Sequence, residues 1–316
     1  MKFLRVLCCI VPLFPFILSF IISFIFDQRF KSHSTGLVVV TGASSGIGEH
    51  AAGAISMQTD FTVYAGVRKE ADADRLRKKY PNIRTVILDV TSSQSISDAV
   101  DTVVTKNSNI PLIALVNNAG VQADLPVELQ NSKDDRFNYN VNVFGLADTT
   151  RAFLPALRKT GDGARIINMG SLAGIVASAG SSSYSGSKFA VEGITDSLRR
   201  ELEHFRISVS IIQPGYVQSK MASKAHSTSA SSYGVSESQY SLYKHVFEGF
   251  FAEDRELGLN ENAAPPETTT TAAILHALQS SRPKTRYPVA NVGPFPAWIV
   301  ARLSSILPDR VFDLLV

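Results

Sequence analysis

Tyr184 and Lys188 stand four residues apart at the start of a helical run, a spacing that puts both side chains on one face of a helix. At about 4 Å and an effective dielectric near 20, an ammonium stabilises a phenolate by up to about 4 kcal/mol. That attraction draws a phenol with an ordinary pKa of about 10 towards neutrality, where it can exchange protons with a substrate. Alone, such a pair is more often a packing contact. A second feature gives it context: Thr41-Gly42-Ala43-Ser44-Ser45-Gly46-Ile47-Gly48 follows an apolar β-branched run and precedes an alanine-rich helical segment. A glycine-rich turn from strand to helix lets the backbone approach a pyrophosphate and aims helix N-terminal amides at it. The glycines are spaced more widely than in G-x-G-x-x-G, and a lone turn of this composition binds phosphate about as often as not.

The residues one strand further on bear on which phosphate such a loop would choose. In dinucleotide folds, a residue about 20 positions past the glycines meets the adenosine ribose: a carboxylate suits its 2′-hydroxyl, an arginine a 2′-phosphate. Counting 20 residues from Gly48 reaches Arg68, with Lys69 beside it and no carboxylate. The expectation is NADP(H) preferred with NAD(H) possible, because an arginine fork grips phosphate bidentately. The bland alternative is a solvated basic patch.

Elements that could hold these groups recur along the chain. The apolar runs Leu37–Val40, Phe61–Ala65, Thr85–Leu88, Leu112–Val116, Arg165–Asn168 and Ile207–Ile212 alternate with longer helical patterns. Short β-branched runs of this kind read as buried parallel strands joined by crossover helices. The expected fold is α/β, a Rossmann-type doubly wound parallel sheet in a single domain.

With 316 residues, 45% of them hydrophobic and 19% charged, the chain can bury one large core. A net charge of +3 with scattered lysines and arginines leaves no phosphate-tracking stripe, which argues against nucleic acid as a partner. Both cysteines, Cys8 and Cys9, fall in the hydrophobic N-terminus, so the rest of the chain has no thiol for a disulfide or a zinc cluster. The six histidines lack metal-like neighbours, and no metal is expected.

From Val6 to Phe26 the chain is almost wholly apolar, about 31 Å of helix at 1.5 Å per residue, which matches a bilayer core. Residues 1–30 are therefore read as a membrane anchor, 31–35 as a linker and 36–316 as the catalytic domain, with 220–266 an insertion on the substrate side. The apolar run is longer than a signal-peptide core and lacks its small-residue end. Pro12 and Pro15 leave a hairpin or an interfacial segment open. Lys2 and Arg5 are balanced by Arg29 and Lys31, so orientation is not readable.

Taken together, the motifs resemble the short-chain dehydrogenase/reductase family over about residues 36–316. They run in the family's order: Thr41-Gly42-x-x-x-Gly46-x-Gly48, Asp89-Val90, Asn117-Asn118-Ala119-Gly120, Asn142, Ser171, Tyr184-x-x-x-Lys188 and Pro214-Gly215. The resemblance implies that Tyr184 is the general acid/base, that Ser171 hydrogen-bonds the substrate oxygen, and that Lys188 serves both Tyr184 and the nicotinamide ribose. It also implies that Asn142 holds a water in a proton relay. By the same likeness the cofactor groove comprises Gly42, Ser44, Ser45, Gly46, Ile47, Gly48, Arg68, Asp89, Val90, Asn118, Ala119, Gly120, Pro214, Gly215 and Val217, together with Tyr184 and Lys188. Gln218 and Ser219 stand where the family has a threonine shortly after Pro-Gly, so the carboxamide contact at that point does not carry over from the resemblance. Three bland readings stand beside these: Ser171 as a turn cap, Asp89 as a helix cap, and Asn142 as one of three equivalent asparagines with Asn138 and Asn140.

An N-terminal anchor, Tyr-Pro-Val at Tyr287 and Leu-Pro-Asp at Leu307 are similar to the hydroxysteroid and retinol dehydrogenases within the family. That similarity implies a lipophilic alcohol or carbonyl substrate, a membrane location such as the endoplasmic reticulum or another endomembrane, and leaves a homodimer open. The rival reading from a different class is a non-catalytic dinucleotide sensor or scaffold at a membrane. Such a protein is expected to lose Ser171, Tyr184 or Lys188, and all three are present.

Overall fold

The computed structural model describes residues 28–122, 124–218, 235–247 and 263–312. The expected anchor Val6–Phe26, Ser219 and most of 220–266 lie outside the described residues. Among those described, no helix is long and apolar enough to cross a membrane.

Seven strands form one parallel sheet: β1 (Thr35–Val40), β2 (Asp60–Val67), β3 (Arg84–Ile87), β4 (Leu112–Asn117), β5 (Arg165–Met169), β6 (Ser208–Pro214) and β7 (Arg286–Val289), in the order β3-β2-β1-β4-β5-β6-β7. Helices cover both faces, so the central strands are buried on both sides and carry near-continuous apolar sequence. In β1, Val38 and Val40 pack with α1 (Gly46–Gln58), α2 (Glu70–Lys79) and α8 (Thr270–Gln279) on one face. Leu37 and Val39 pack with α3 (Ser93–Val103), α5 (Leu146–Thr160) and α6 (Ser182–Glu201) on the other. Two further helices, α4 (Ser132–Tyr139) and α7 (Glu237–Leu242), lie outside these layers, and a hairpin of β8 (Asn291–Val292) and β9 (Phe295–Pro296) leads into α9 (Ala297–Leu303).

Strand order reverses between β1 and β4, which opens a crevice at the carboxyl edge of the sheet. The six expected strands are all present, with ends displaced by a few residues. The seventh, β7, was not foreseen: it is four residues long and contains Pro288. Its place at the sheet edge explains how it tolerates a residue with no N–H to give.

The segment read as a linker is sewn to the body. Thr35 already belongs to β1. Arg165, buried at the start of β5, donates from Nη2 to the carbonyls of Lys31 (3.1 Å) and Ser280 (3.0 Å). The Phe30 amide donates to Ser281 at 2.8 Å, and the guanidinium groups of Arg165 and Arg206 lie 5.4 and 5.3 Å from the Phe30 ring centroid. Burial lowers the Arg165 guanidinium to about 10, against the opposing charge of Asp162.

Candidate active site

The glycine turn joins β1 to α1 at the crevice. Gly42 and Gly46 have φ of +64° and +57°, a backbone region that favours glycine. A Cβ on Gly48 would lie 2.2 Å from Asn118 Nδ2 and 2.5 Å from the Gly42 carbonyl oxygen, so only hydrogen fits there. The Thr41 hydroxyl accepts from the amides of Asn118 (3.0 Å) and Ala119 (2.9 Å), and Asn118 Nδ2 donates to the carbonyls of Thr41 (3.0 Å) and Gly42 (3.1 Å). The turn and the segment Asn118–Gly120 are thereby one unit. Ser45 is the N-cap of α1 but gives it no side-chain hydrogen bond. First-turn amides left uncapped at a switch point suit a diphosphate.

Arg68 sits where β2 leaves the sheet, exposed, and makes no hydrogen bond or ion pair among the described residues. The Ala43 amide bonds the Gly66 carbonyl at 2.9 Å, which brings the glycine turn beside the strand end that carries Arg68. Ser44 lends its carbonyl to Arg75, and Ile47 is half-buried against the core. At the end of β3 the Asp89 carboxylate accepts from the Thr91 amide (2.9 Å) and hydroxyl (2.7 Å), while Ser92 caps α3. Asp89 is thus not the helix cap. The Val90 side chain is buried in the core, so any approach to a cofactor there falls to its backbone.

The acid/base candidates converge from three elements. Ser171 follows β5, whose end is tied to β6 by the Gly170 amide bonding Ile212 at 2.8 Å. Its hydroxyl accepts from the Ala173 amide at 3.1 Å and is also hydrogen-bonded with Tyr184. The cap reading is therefore met: Ser171 caps the turn that follows β5. Tyr184 and Lys188 occupy the first turns of α6, with Lys188 Nζ 5.7 Å from the Tyr184 ring centroid. Lys188 is buried and donates to the Met169 carbonyl at 2.8 Å. A Cβ on Gly120 would lie 3.8 Å from Lys188 Nζ, which places the loop after β4 against that ammonium.

Asn142 belongs to a π-helical turn, Asn140–Gly145, between α4 and α5. Its side chain accepts from the Val121 amide at 2.8 Å and donates within reach of the Val121 carbonyl (2.9 Å) and the Ser187 hydroxyl (2.9 Å). That lashes the π turn both to the loop after β4 and to α6. Such widened turns gather at functional sites; this one contains Asn142 and Asn140, while Asn138 lies in the helix before it. On the far side, Gly215 donates to Val289 at 2.9 Å, and a Cβ there would lie 2.4 Å from the Asn291 carbonyl oxygen. Pro214 ends β6, and Val217 is buried and bridged to Ala264.

The direction of the Tyr184 titration differs from the expectation. Burial pushes the phenol up to about 12; the Ser171 hydrogen bond opposes this and the charge of Asp124 adds to it. Lys188 is itself lowered to about 8 by burial, opposed by Glu192. Desolvation of both partners outweighs the attraction that their spacing implies. With the chain's own groups alone, Tyr184 stands protonated, in the form that donates.

Asp124 is a group that sequence reasoning missed. It is buried, accepts from the Ser181 hydroxyl at 2.9 Å and from Gln122, and lies on the loop after β4. Its only signal was a carboxylate within Val121–Pro126. The described part of the expected insertion packs at the same rim: Val246 faces Gly180, and the Tyr243 hydroxyl donates to Glu128. Phe247, buried, stacks on Tyr240 at 5.0 Å.

Fold and site together define an α/β protein of the dinucleotide-binding type. Its residues 36–230 match the model of the short chain dehydrogenase family. The chain is 32% identical over 276 residues to an uncharacterized oxidoreductase, YbbO, of Escherichia coli, covering 87% of this chain and 92% of that one. It is 31% identical over 293 residues to retinol dehydrogenase 16 of Rattus norvegicus, covering 90% of each. It is 32% identical over 267 residues to 17-beta-hydroxysteroid dehydrogenase type 6 of Bos taurus, covering 83% of each. A short chain dehydrogenase of Burkholderia cenocepacia, solved with NADP, shares the fold with a TM-score of 0.67 at 24% identity, covering 90% of this chain and 98% of that one. This chain belongs to the short-chain dehydrogenase/reductase family. It is an oxidoreductase acting on CH–OH groups with a nicotinamide dinucleotide.

Proposed function

We propose that the chain interconverts a lipophilic alcohol and its ketone or aldehyde, with NADP(H) preferred and Tyr184 as general acid/base. The observation that carries this is the convergence of Ser171, Tyr184 and Lys188 against the segment Asn118–Gly120, which is bonded to the glycine turn. The dinucleotide would supply or accept the hydride. Held by the Gly42–Gly48 turn, Asn118–Gly120 and Lys188, it would leave the carbonyl oxygen of the substrate to Ser171 and Tyr184. In reduction, the protonated Tyr184 gives its proton to that oxygen as the carbonyl carbon gains hydride; in oxidation the phenolate takes it back. The named substrates of the retinol and hydroxysteroid dehydrogenase relatives support a retinoid, steroid or other lipid-like class. Purified protein with NADPH or NADH, followed by cofactor fluorescence against retinoids, steroids and long-chain carbonyls, tests the reading. Cofactor binding with no turnover across all three panels would favour a sensor or scaffold.

The cofactor preference has its own test in Arg68→Asp. Arg68 has no partner among the described residues, so replacing this cation with a carboxylate would remove the group read as the phosphate ligand and add repulsion. The ratio of kcat/KM for NADPH over NADH is expected to fall at least about tenfold, since a factor of ten needs only about 1.4 kcal/mol. A preference for NADH in the unaltered protein would contradict the assignment.

A membrane location, at the endoplasmic reticulum or another endomembrane, is part of the same proposal. It is supported by the length of the apolar stretch Val6–Phe26 and by exposed Phe295, Trp298 and Ile306 near the C-terminus. Removing residues 1–27 is expected to move the protein from the membrane pellet to the soluble fraction with its turnover intact. Persistence in the pellet after a high-salt wash would place the attachment elsewhere, with the C-terminal aromatics the first to mutate.

A further inference from the structure

Helix α6 carries an ionisable side chain at every fourth position from Tyr184: Lys188, then Glu192, then Asp196. On a helix these four form one line along a face. The first two belong to the site already described, and the other two have no part in it. Glu192 is nevertheless built in with care. Its Oε1 accepts from Gln213 Nε2 at 2.8 Å, and its Oε2 is 3.5 Å from Nε of Arg286. Arg286 in turn places Nη2 2.8 Å from Asp196 Oδ2. Gln213 is buried in β6 immediately before Pro214, and Arg286 opens β7, so two strands hold one carboxylate in place. Its side chain is only 13% exposed. A solvent-facing ion pair needs no such clamp.

We propose that Glu192 is a positioning residue for the reaction: clamped by Gln213 and Arg286, it presents a fixed negative charge one helical turn beyond Lys188. The inference rests on the reading of Tyr184 and Lys188 as the acid/base pair. Among the described residues, the other groups against Lys188 are neutral: the Met169 carbonyl at the end of β5, Gly120 after β4 and the Tyr184 phenol. Asp124, on the loop after β4, acts on Tyr184. Glu192 is the charge that opposes the burial of Lys188. Burial also pushes the Glu192 carboxyl up, against its hydrogen bond from Gln213 and the Arg286 guanidinium. The Gln213–Arg286 clamp thus preserves the charge that serves Lys188. Removing that charge lets burial act on the lysine unopposed, so it discharges at lower pH.

The test is the alkaline limb of the kcat/KM profile, which Lys188 at about 8 places near pH 8 in the unaltered protein. Glu192→Gln keeps the side-chain length and a partner for Gln213 but loses the charge. Its limb is expected to move to lower pH by about 0.5 to 1 unit. The matching loss is roughly threefold to tenfold near pH 8 and much smaller at pH 6. Glu192→Asp, which restores the charge, should return the limb towards its original position. If Glu192→Gln fails to fold, Glu192→Met, of similar length and with no charge, is read in its place. An unmoved limb, or an equal loss at every pH, overturns the inference provided Lys188→Ala is inactive. Full turnover in Lys188→Ala would instead sink the acid/base reading on which it stands.

Discussion

In Tyr184→Phe, turnover falls at least about 10²-fold while NADP(H) still binds. The substitution removes one hydroxyl and keeps the ring beside Lys188, whose Nζ lies 5.7 Å from the ring centroid. The Ser171 hydroxyl loses a partner but keeps the Ala173 amide, so the loop after β5 has no cause to move. Steady-state turnover together with a cofactor fluorescence titration separates chemistry from binding. Turnover retained within a few-fold would mean that another group handles the proton, and the whole reading of α6 would go with it. Weakened cofactor binding of the same size as the rate loss would point instead to a collapsed site.

Lys188→Ala is expected to lose more, about 10³-fold, and to weaken cofactor binding as well. The ammonium has two surroundings here: it donates to the Met169 carbonyl, and Gly120 on the loop after β4 packs against it. Removing it leaves a cavity and a buried carbonyl without that donor, a cost of roughly 1–3 kcal/mol in stability. A melting curve must therefore accompany the kinetics. A protein that stays folded, binds NADP(H) with undiminished affinity and yet does not turn over would show that the lysine serves only the tyrosine. Undiminished turnover would contradict both roles.

Much of this arrangement was legible in the sequence because its causes are local. A buried parallel strand needs a β-branched run, and a close turn from strand to helix needs glycines at Gly42, Gly46 and Gly48, where the structure has positive φ or no room for Cβ. What escaped depends on long-range contacts. The strand β7 is too short and too interrupted by Pro288 to announce itself, and it exists because β6 offers it an edge. The π turn at Asn140–Gly145 has no local signature, being held by the bonds of Asn142 to Val121 and Ser187. The direction of the Tyr184 titration followed the same rule. A four-residue spacing reports who the neighbour is but not how dry the place is, and dryness decided the sign.

The clasp of Arg165 and Arg206 on Phe30 bears on where this protein can be cut. A solubilising truncation drawn at the apparent boundary, after residue 30, would discard the ring between the two guanidinium groups, along with the amide bonded to Ser281. At roughly 0.5–2 kcal/mol for each ring contact, that could remove a sizeable part of the 5–15 kcal/mol that holds an ordinary domain together. A chain beginning at Gln28 keeps the clasp closed and ought to melt several degrees above one beginning at Lys31. The point at which this enzyme can be trimmed is thus set by an arginine at the head of its fifth strand, far along the chain from Phe30 itself.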